Sequence, residues 1–332
     1  MMDLQAARLA ARFWFEDAAV APLGDGHIHQ TFAVTCTAGV FVLQRVNQVV
    51  FPDLTLLGEQ TQQVLGVWQT QTRYIAPQLL SPGYHVDESG CWRMWEHLSG
   101  RVIDPPENYR QVRAAGEAFA RFQVALQGLE PATLSTTIPG FLQLSHYLRE
   151  FEDVASLATP EWTDRVAAER DIGRALTAHP AHIHADCKIN NLLFDADSDQ
   201  VSAILDFDTV MWAPRALDLG DLVRSVCVSQ GKVDLMAYTA VLEGFKAGGV
   251  ELTVAEVQEA PAYLAFMLAL RFYTDHLRGD TYFNVAYRGE NLERAERQYA
   301  LFLALRSART EFEQIAETTM LRAKAPDGPR LS

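Results

Sequence analysis

Cysteines and basic residues are both scarce in this chain. Its 332 residues include four cysteines, well separated in the sequence: Cys36, Cys91, Cys187 and Cys227. They form no Cys-x-x-Cys pair and have no histidine at zinc-ligand spacing, so we predict reduced thiols rather than a disulfide framework or a zinc module. Lysine and arginine number 28 against 42 aspartates and glutamates, a formal charge of -14. This balance argues against a general nucleic-acid or anionic-membrane binder, because few cations exist to displace counterions.

Long hydrophobic runs are missing as well. The longest apolar stretch without a charge, Ala262 to Leu270, is about half of the roughly 18 residues that a membrane-spanning helix needs. The N-terminal residues carry charges throughout and contain no apolar core of the signal-peptide kind. Apolar residues still make up 48% of the composition, enough to bury a substantial core. We therefore predict a soluble cytoplasmic protein with two lobes or two domains.

The first hundred residues have the pattern of a small sheet with two helices. Runs rich in β-branched and aromatic residues predict strands at residues 31–35, 40–45, 84–86 and 91–97. Apolar positions at helical spacing predict helices at residues 3–15 and 54–68. The turn-forming pair Ala38-Gly39 joins the first two strands in a hairpin.

After Leu98 the pattern becomes mainly helical. A Ser-Gly pair and then Asp104-Pro105-Pro106 predict a linker at this point. Helices are predicted at residues 110–126, 142–157, 162–176, 217–227, 234–245, 254–277 and 291–313, and short strands at 182–184, 191–194 and 201–205. We predict an α+β protein with an N-lobe at 1–98, a C-lobe at 99–323 and a disordered tail at 324–332.

The strongest chemical signal is the stretch His184-Ala-Asp-Cys-Lys-Ile-Asn-Asn191, followed after a predicted strand by Asp206-Phe-Asp208. An H-x-D-x-x-x-x-N loop and then a metal-binding Asp in a D-F-G-like turn form the pattern of protein kinases. Phosphoryl transfer requires the protein to orient the attacking hydroxyl and to neutralise charge on the phosphate oxygens. The stretch therefore predicts a kinase site.

Each polar residue of this stretch is assigned a separate role in phosphoryl transfer. Asp186 is interpreted as the base that accepts the hydroxyl proton, and Lys188 as a point charge for the γ-phosphate. The amide oxygen of Asn191 and the carboxylate of Asp206 are hard ligands that suit Mg²⁺. The alternative is that Asp186 and Asn191 cap a turn and His184 is a core histidine. Two flanking strands and an upstream glycine turn favour the kinase interpretation.

Nucleotide contacts are predicted in the N-terminal half. The turn from Leu23 to Thr31 would lie over the phosphates, because glycines let backbone N–H groups approach. Its candidate residues are Gly24, Gly26, His27 and Thr31. An ordinary hairpin turn is the alternative. Glu96 and Leu98, at the end of the last strand, are predicted to offer backbone groups to adenine, or simply to end the strand.

The strand predicted at residues 40–45 contains no lysine. A kinase would use a lysine there to bind the nucleotide phosphates. Arg45 is the candidate for this cation, with Glu59 on the following helix as its ion-pair partner. Strand alternation leaves open that Gln44 faces inward instead, with Arg45 in solvent. Glu59 would then be an ordinary solvated helix residue.

The sequence resembles the aminoglycoside phosphotransferase and choline kinase superfamily, and in particular the N-acetylhexosamine 1-kinases. The stretches that carry the resemblance are GDGHIHQTF, FVLQRVNQVVF, HADCKINNLLFD, ILDFDTVMWAPRALDLGDLVRS, and RFYTDHLRGDTYF followed by NLERAERQ. The resemblance implies a protein-kinase-like two-lobed fold with a small antiparallel-sheet N-lobe and a mainly helical C-lobe. It also implies ATP and Mg²⁺ as cofactors, and transfer of the γ-phosphate to the anomeric hydroxyl of an N-acetylated hexose.

The acceptor pocket has weaker candidates. Polar groups for a sugar are predicted from Arg271, Asp275 and Asp280, with an ordinary charged helix face as the alternative. Asp208 is a further candidate, which either touches the metal or orients its loop.

Two departures from the sugar kinases bear on the acceptor. Their polar Phe-His-Asp stretch is replaced here by Phe141-Leu142-Gln143, which favours a different, less polar acceptor, and an Asn of their glycine loop is replaced by His29. Aminoglycosides, choline-like amino alcohols and homoserine remain open as acceptors. A nucleotide-binding pseudokinase is disfavoured, because the catalytic Asp, the Asn and the metal Asp are all present.

Overall fold

The computed structural model describes residues 3–24, 28–131, 133–229 and 231–321. Its helices are α1 Leu4–Ala11, α2 Leu54–Gln71, α3 Tyr109–Ala125, α4 Leu144–Glu152, α5 Pro160–Ala168, α6 Ala216–Val226, α7 Leu235–Gly248, α8 Val254–Leu277, α9 Glu290–Ser307 and α10 Arg309–Leu321. Its strands are β1 Ala19–Pro22, β2 Gln30–Cys36, β3 Gly39–Val46, β4 Leu79–Asp87, β5 Gly90–Glu96, β6 Pro180–Ile183, β7 Leu192–Phe194, β8 Val201–Ile204, β9 Met211–Pro214, β10 Val228–Ser229 and β11 Lys232–Val233. The predicted tail at 324–332 lies outside the described residues.

The N-terminal strands form one antiparallel sheet in the order β1-β2-β3-β5-β4. One face of this sheet is covered by α1, whose buried alanines pack against Phe32, Leu43, Trp92 and Met94. Strand β1 was not predicted. It is short and ends in Pro22, which a sheet tolerates at its edge because the missing N–H has no partner there.

The main core extends across the predicted lobe boundary. The sheet ends at Glu96, close to that boundary, but Trp68 of α2 packs on Phe122 of α3 with ring centroids 5.2 Å apart. Ile75, just after α2, forms a bridge with Ala203 of β8. The first half of the chain is therefore anchored on the helical half by packing and by backbone hydrogen bonds.

The helical half follows the predicted order with three changes at helix ends. The helix predicted at 291–313 is divided at Ala308 into α9 and α10, and those predicted at 142–157 and 162–176 end at Glu152 and Ala168. Helix α6 lies very close to α8: a Cβ on Gly220 would meet the Ala260 backbone at 2.7 Å. Glycine is therefore required where the two helices cross.

Two small strand pairs hold the loops that carry the kinase motif. Strand β6 pairs with β9, and β7 with β8, both antiparallel. The chain enters residues 184–191, here called the HxD loop, from β6 and leaves through β7. It enters residues 205–210, here called the DFD loop, from β8 and leaves through β9. Strand β9 was not predicted, since four residues ending in proline give little strand signal.

All four cysteines are free thiols, as predicted. No helix within the described ranges is long and apolar enough to cross a membrane.

Candidate active site

His184 joins the HxD loop to the DFD loop. Its Nε2 donates to the carbonyl of Leu205 at 2.9 Å, while its Nδ1 accepts from the Asp186 amide at 3.3 Å. These two contacts select the neutral tautomer with the proton on Nε2. The Leu205 amide in turn donates to the Asn191 carbonyl at 2.9 Å. Asp186, Asn191 and Asp206 are brought together in this way.

Asp218, near the start of α6, holds the backbone of the HxD loop. Its carboxylate accepts from the amides of His184 and Ala185 at 3.0 and 2.8 Å, and from the side chain of Gln123 at 2.8 Å. Ala185 has a φ of 65°, a conformation that L-residues seldom adopt. Two amides bound to one buried carboxylate stabilise this turn, which immediately precedes Asp186.

Asp186 has two partners within its own loop. Lys188 Nζ lies 2.7 Å from Asp186 Oδ1, and the Asn191 amide donates to Oδ2 at 2.9 Å. Burial opposes ionisation, but the charge of Lys188 and these hydrogen bonds outweigh it, so the pKa of Asp186 is lowered from the ordinary aspartate value. The carboxylate is an ionised proton acceptor at neutral pH.

Replacing Lys188 by Met tests this account through the pH profile. Burial and the neighbouring Asp206 would then act on Asp186 without the compensating cation, so its pKa rises. The acidic limb of kcat/KM should therefore move to higher pH, together with a lower rate. Lys188→Arg, which keeps the charge, is the control. An acidic limb at the same pH in Lys188→Met and the wild-type protein would contradict the assigned role.

Asp206 is the carboxylate of the DFD loop that faces solvent. It has a φ of 63°, and no hydrogen bond to its side chain occurs among the described residues. Burial of its surroundings and the charges of Asp208 and Asp186 raise the pKa of Asp206. A carboxylate with little protein compensation beside other carboxylates is a site that a cation stabilises.

The donors near Asp206 fit Mg²⁺. The Asn191 side chain donates its Nδ2 to Asp186, which leaves its oxygen available as a ligand. One carboxylate and one amide oxygen match the small protein share of a Mg²⁺ shell, which is completed by water and phosphates. In the described ranges no three His, Cys, Asp or Glu side chains converge as a metal site. A site that depends on a nucleotide therefore fits better than a preformed protein cage.

Asp208 does not lie in the acceptor region, in contrast to its prediction. It is 2% exposed, and Arg93 of β5 binds it through two hydrogen bonds of 2.8 and 2.6 Å. His29 Nε2 lies 2.8 Å from Asp208 Oδ2. Burial opposes ionisation of this carboxyl, but Arg93 and His29 outweigh it and hold its pKa well below the ordinary value. The carboxylate is buried and engaged by protein groups, so it is not the free acceptor contact that was predicted.

The prediction for Arg45 is wrong. Arg45 pairs across the sheet with Trp92, on the face that α1 covers, and its guanidinium lies 5.8 Å from the Trp92 ring centre. Gln44 and Arg93 form the next pair and face the DFD loop. Strand alternation shows that Gln44 and Arg45 lie on opposite faces of the sheet. It does not specify which face α1 covers, and that decides which of the two side chains faces the DFD loop.

Glu59 is likewise not an ion-pair partner of Arg45. It is exposed on α2, and it forms no ion pair with any described residue. The side chains of α2 that face inward are its neighbours Gln60 and Thr61, which are buried.

The remaining nucleotide residues are placed as follows. Thr31 lies opposite Gln44, whose side-chain amide donates to the Thr31 hydroxyl at 3.4 Å. Gly24 has a φ of 67°, whereas Gly26 and His27 lie outside the described residues. The Glu96 amide donates to the Gln78 carbonyl at 2.9 Å. The Glu96 amide is therefore engaged within the sheet, while the adenine contacts of the Glu96 carbonyl and the Leu98 backbone stay predictions.

Arg271 is surrounded by aromatic rings. Its guanidinium carbon lies between 4.9 and 5.6 Å from four ring centres, those of Phe141, Tyr147, Tyr282 and Phe283. No carboxylate in the described part of the chain forms an ion pair with Arg271. We call these five residues the Arg271 cluster.

A short segment connects this cluster with the DFD loop. The Thr137 hydroxyl donates to the Asp208 carbonyl at 2.5 Å, and the cluster residue Phe141 follows four positions later. Four residues span at most ~14 Å. The Arg271 cluster therefore adjoins the proposed metal loop.

Asp275 supports this cluster instead of offering a free polar group, and Asp280 is linked to it through Asn291. The buried Asp275 carboxylate accepts from the amides of Thr281, Tyr282 and Phe283 at 2.8 to 2.9 Å. Asn291 donates to both Asp275 and Asp280, at 2.9 Å in each case. Asp275 is saturated, so its prediction as a sugar contact is wrong; its role is to place Tyr282 and Phe283. Asp280 keeps one oxygen without a described partner.

Arg93 is the buried charge that the sequence analysis missed. It lies within the otherwise apolar run Cys91-Trp-Arg-Met-Trp95, where alternation puts it on the face opposite Trp92 and Met94. A lone arginine in a strand of this kind is the available signal, because a charge at a buried strand position needs a counter-charge.

The two-lobed fold and the joined HxD and DFD loops define a phosphotransferase of the protein-kinase-like class. Residues 19–251 match the phosphotransferase enzyme family, and the chain belongs to that family. It is a small-molecule kinase, which confirms the predicted enzyme class and superfamily.

Solved structures resemble the chain over nearly its whole length. The GDP complex of wild-type aminoglycoside 2'-phosphotransferase-IIIa aligns with a TM-score of 0.63 at 16% identity, covering 90% of this chain and 99% of that one. The choline/ethanolamine kinase family protein of Mesorhizobium loti gives 0.60 at 19%, covering 91% and 99%. Choline kinase from Cryptosporidium parvum Iowa II gives 0.62 at 13%, covering 96% and 99%. At these identities the likeness shows the fold, which confirms the α+β kinase-like prediction.

Proposed function

We propose that this phosphotransferase moves the γ-phosphate of ATP, with Mg²⁺, to the anomeric hydroxyl of an N-acetylhexosamine or a related sugar. The proposal rests on the sequence stretches that resemble the sugar 1-kinases and on the composition of the Arg271 cluster. Asp186, Lys188, Asn191 and Asp206 carry the chemistry in it, together with the turn at Gly24 to Thr31.

Each step assigns one task to a residue of the site. Asp186, ionised at neutral pH, accepts the proton of the attacking hydroxyl as its oxygen bonds to the γ-phosphorus, while the bond from that phosphorus to the bridging oxygen breaks and ADP leaves. Lys188 both keeps Asp186 ionised and supplies positive charge near the transferred phosphoryl group. Asn191 and Asp206 would hold Mg²⁺, which neutralises charge on the phosphate oxygens when bound.

The observation that carries the choice of acceptor is the unpaired cation of the Arg271 cluster. A positively charged acceptor, such as choline or an aminoglycoside, would be repelled by a fixed guanidinium in a partly buried site. A neutral sugar can accept hydrogen bonds from Arg271 and pack its apolar face on the surrounding rings. The cluster therefore favours an uncharged acceptor over the cationic ones.

Homoserine is the second candidate, since its carboxylate would suit the same arginine. The sequence stretches shared with sugar kinases favour the sugar. The Arg271 cluster by itself does not separate the two.

The test is ADP release from Mg²⁺-ATP by the purified protein with N-acetylhexosamines, other hexoses, homoserine, choline and aminoglycosides. N-acetylhexosamines should stimulate turnover most. Arg271→Met should then raise the acceptor KM about 10- to 100-fold, as expected for a lost hydrogen bond to a charged group, with the ATP KM unchanged. Arg278→Met, on the same side of the C-lobe but paired with Glu150, is the matched control.

The outcomes separate the acceptors. Turnover with homoserine alone would select the second candidate. Turnover with choline or aminoglycosides alone would overturn both, because Arg271 would then face a cation. An Arg271→Met variant with an unchanged acceptor KM would show that the cluster lies outside the acceptor site.

A further inference from the structure

Asp208 takes part in a closed hydrogen-bonding group. The Arg93 guanidinium binds both of its oxygens, in the two-pronged geometry that gives the strongest arginine–carboxylate pairs. His29 accepts the Asn47 amide on Nδ1 at 3.1 Å, so its Nε2 carries the proton and donates to Asp208 Oδ2. Arg93 and Asp208 are each 2% exposed and His29 is 8% exposed. We call these three residues the buried triad.

The surroundings of the buried triad leave little capacity for another ligand. Arg93 Nε donates to Gln44 Oε1 at 3.0 Å, and its guanidinium carbon lies 5.1 Å from the Trp95 ring centre. Asp208 already accepts three strong hydrogen bonds on its two oxygens. A metal ion at Asp208 would have to displace Arg93, which is hydrogen-bonded both to Asp208 and to Gln44.

The buried triad joins three segments that are distant in the chain. Arg93 belongs to β5, an inner strand of the N-terminal sheet, and His29 lies just before β2. Asp208 follows Asp206 by two residues in the DFD loop. The partners are separated by 115 and 179 positions, so the contact exists only when the sheet is docked on the helical half.

We propose that Asp208 is not a metal ligand but a positioning residue, which Arg93 and His29 hold so that the DFD loop keeps a fixed position relative to β5 and to the start of β2. The second acid of the Asp-Phe-Asp motif, Asp208, thereby binds the DFD loop to the N-terminal half of the chain. The first acid, Asp206, remains available to bind a cation. The consequence for catalysis rests on the role proposed for Asp206. The contact between the lobes is independent of it.

Thermal unfolding of the nucleotide-free protein tests that contact directly. Asp208→Asn would leave the Arg93 charge buried without a counter-charge, which should lower the Tm by about 5–10 °C. Adding Arg93→Gln to Asp208→Asn removes that charge and should restore at least half of the loss. Glu152→Gln, which breaks an exposed ion pair with Arg170, is the control and should change the Tm by about 1 °C or less.

Mg²⁺ dependence separates a positioning residue from a metal ligand. If Asp208 positions the loops, Asp208→Asn and Arg93→Gln should raise the KM for Mg²⁺-ATP by similar factors and should change half-activation by Mg²⁺ to the same extent. A rise of about tenfold or more in the Mg²⁺ requirement of Asp208→Asn alone would overturn the proposal. So would a double variant with no recovery of Tm.

A milder variant keeps the proposal testable if Asp208→Asn does not fold. His29→Phe removes one of the three hydrogen bonds to Asp208 and keeps a ring against Phe51, on which His29 stacks at 5.2 Å. It should raise the KM for Mg²⁺-ATP several-fold with a smaller change in kcat. An unchanged KM in a folded His29→Phe protein would contradict the proposal.

Discussion

Replacing Asp186 by Asn is expected to lower kcat by about 10³- to 10⁴-fold. The substitution removes the proton acceptor and its negative charge while keeping the shape of the side chain. Its remaining oxygen can still accept from Asn191. The ion pair with Lys188 is lost, but Lys188 is 40% exposed, so stability should change little. The Tm and the Kd for Mg²⁺-ATP should both stay near the wild-type values.

Single-turnover rates and nucleotide titrations on the same preparation measure these quantities. Asp153→Asn, an exposed aspartate near Arg278, controls for the loss of one negative charge. Wild-type turnover in Asp186→Asn would remove Asp186 from its role. A large loss of nucleotide binding would instead indicate that Asp186 acts on the metal.

Asp206→Asn is expected to abolish Mg²⁺-dependent turnover and yet raise the Tm of the nucleotide-free protein by about 2 °C. The carboxylate is destabilised by burial of its surroundings and by the charges of Asp208 and Asp186, and an amide removes that repulsion. Asn also tolerates the left-handed φ of 63° well. The ionised Asp206 side chain therefore destabilises the nucleotide-free protein, and this is the residue proposed to hold the cation.

The pH dependence gives the sign of this effect. Because the pKa of Asp206 is raised in the folded state, its ionisation destabilises the protein at neutral pH and has no effect once it is protonated in both states, below its ordinary pKa of 3.8. The gain in Tm from Asp206→Asn should therefore be largest near pH 7 and shrink as the pH falls. A lower Tm at pH 7, or unchanged Mg²⁺-ATP binding by calorimetry, would contradict the assignment.

Most of the secondary structure could be predicted from local patterns. The helices around Gln111 and Leu219 have clear apolar periodicity, the one around Phe266 has a long apolar run, and the structure has a helix at each. Strands β1 and β9 were missed because each has four residues and ends in proline. Such strands form through their partners and have little preference of their own.

The sequence by itself determined the chemistry that lies in contiguous stretches. The spacing from His184 to Asn191 and the Asp206 that ends the next strand were sufficient to predict the kinase class, because a loop between short strands places its own residues. Only the tertiary structure decided which groups from the N-terminal sheet meet that loop. In that structure Arg45 lies on the sheet face that α1 covers, Arg93 and His29 bind Asp208, and Asp275 supports the Arg271 cluster. Contacts between residues more than a hundred positions apart, such as Arg93 and Asp208, depend on how two lobes dock, and no local pattern encodes that docking.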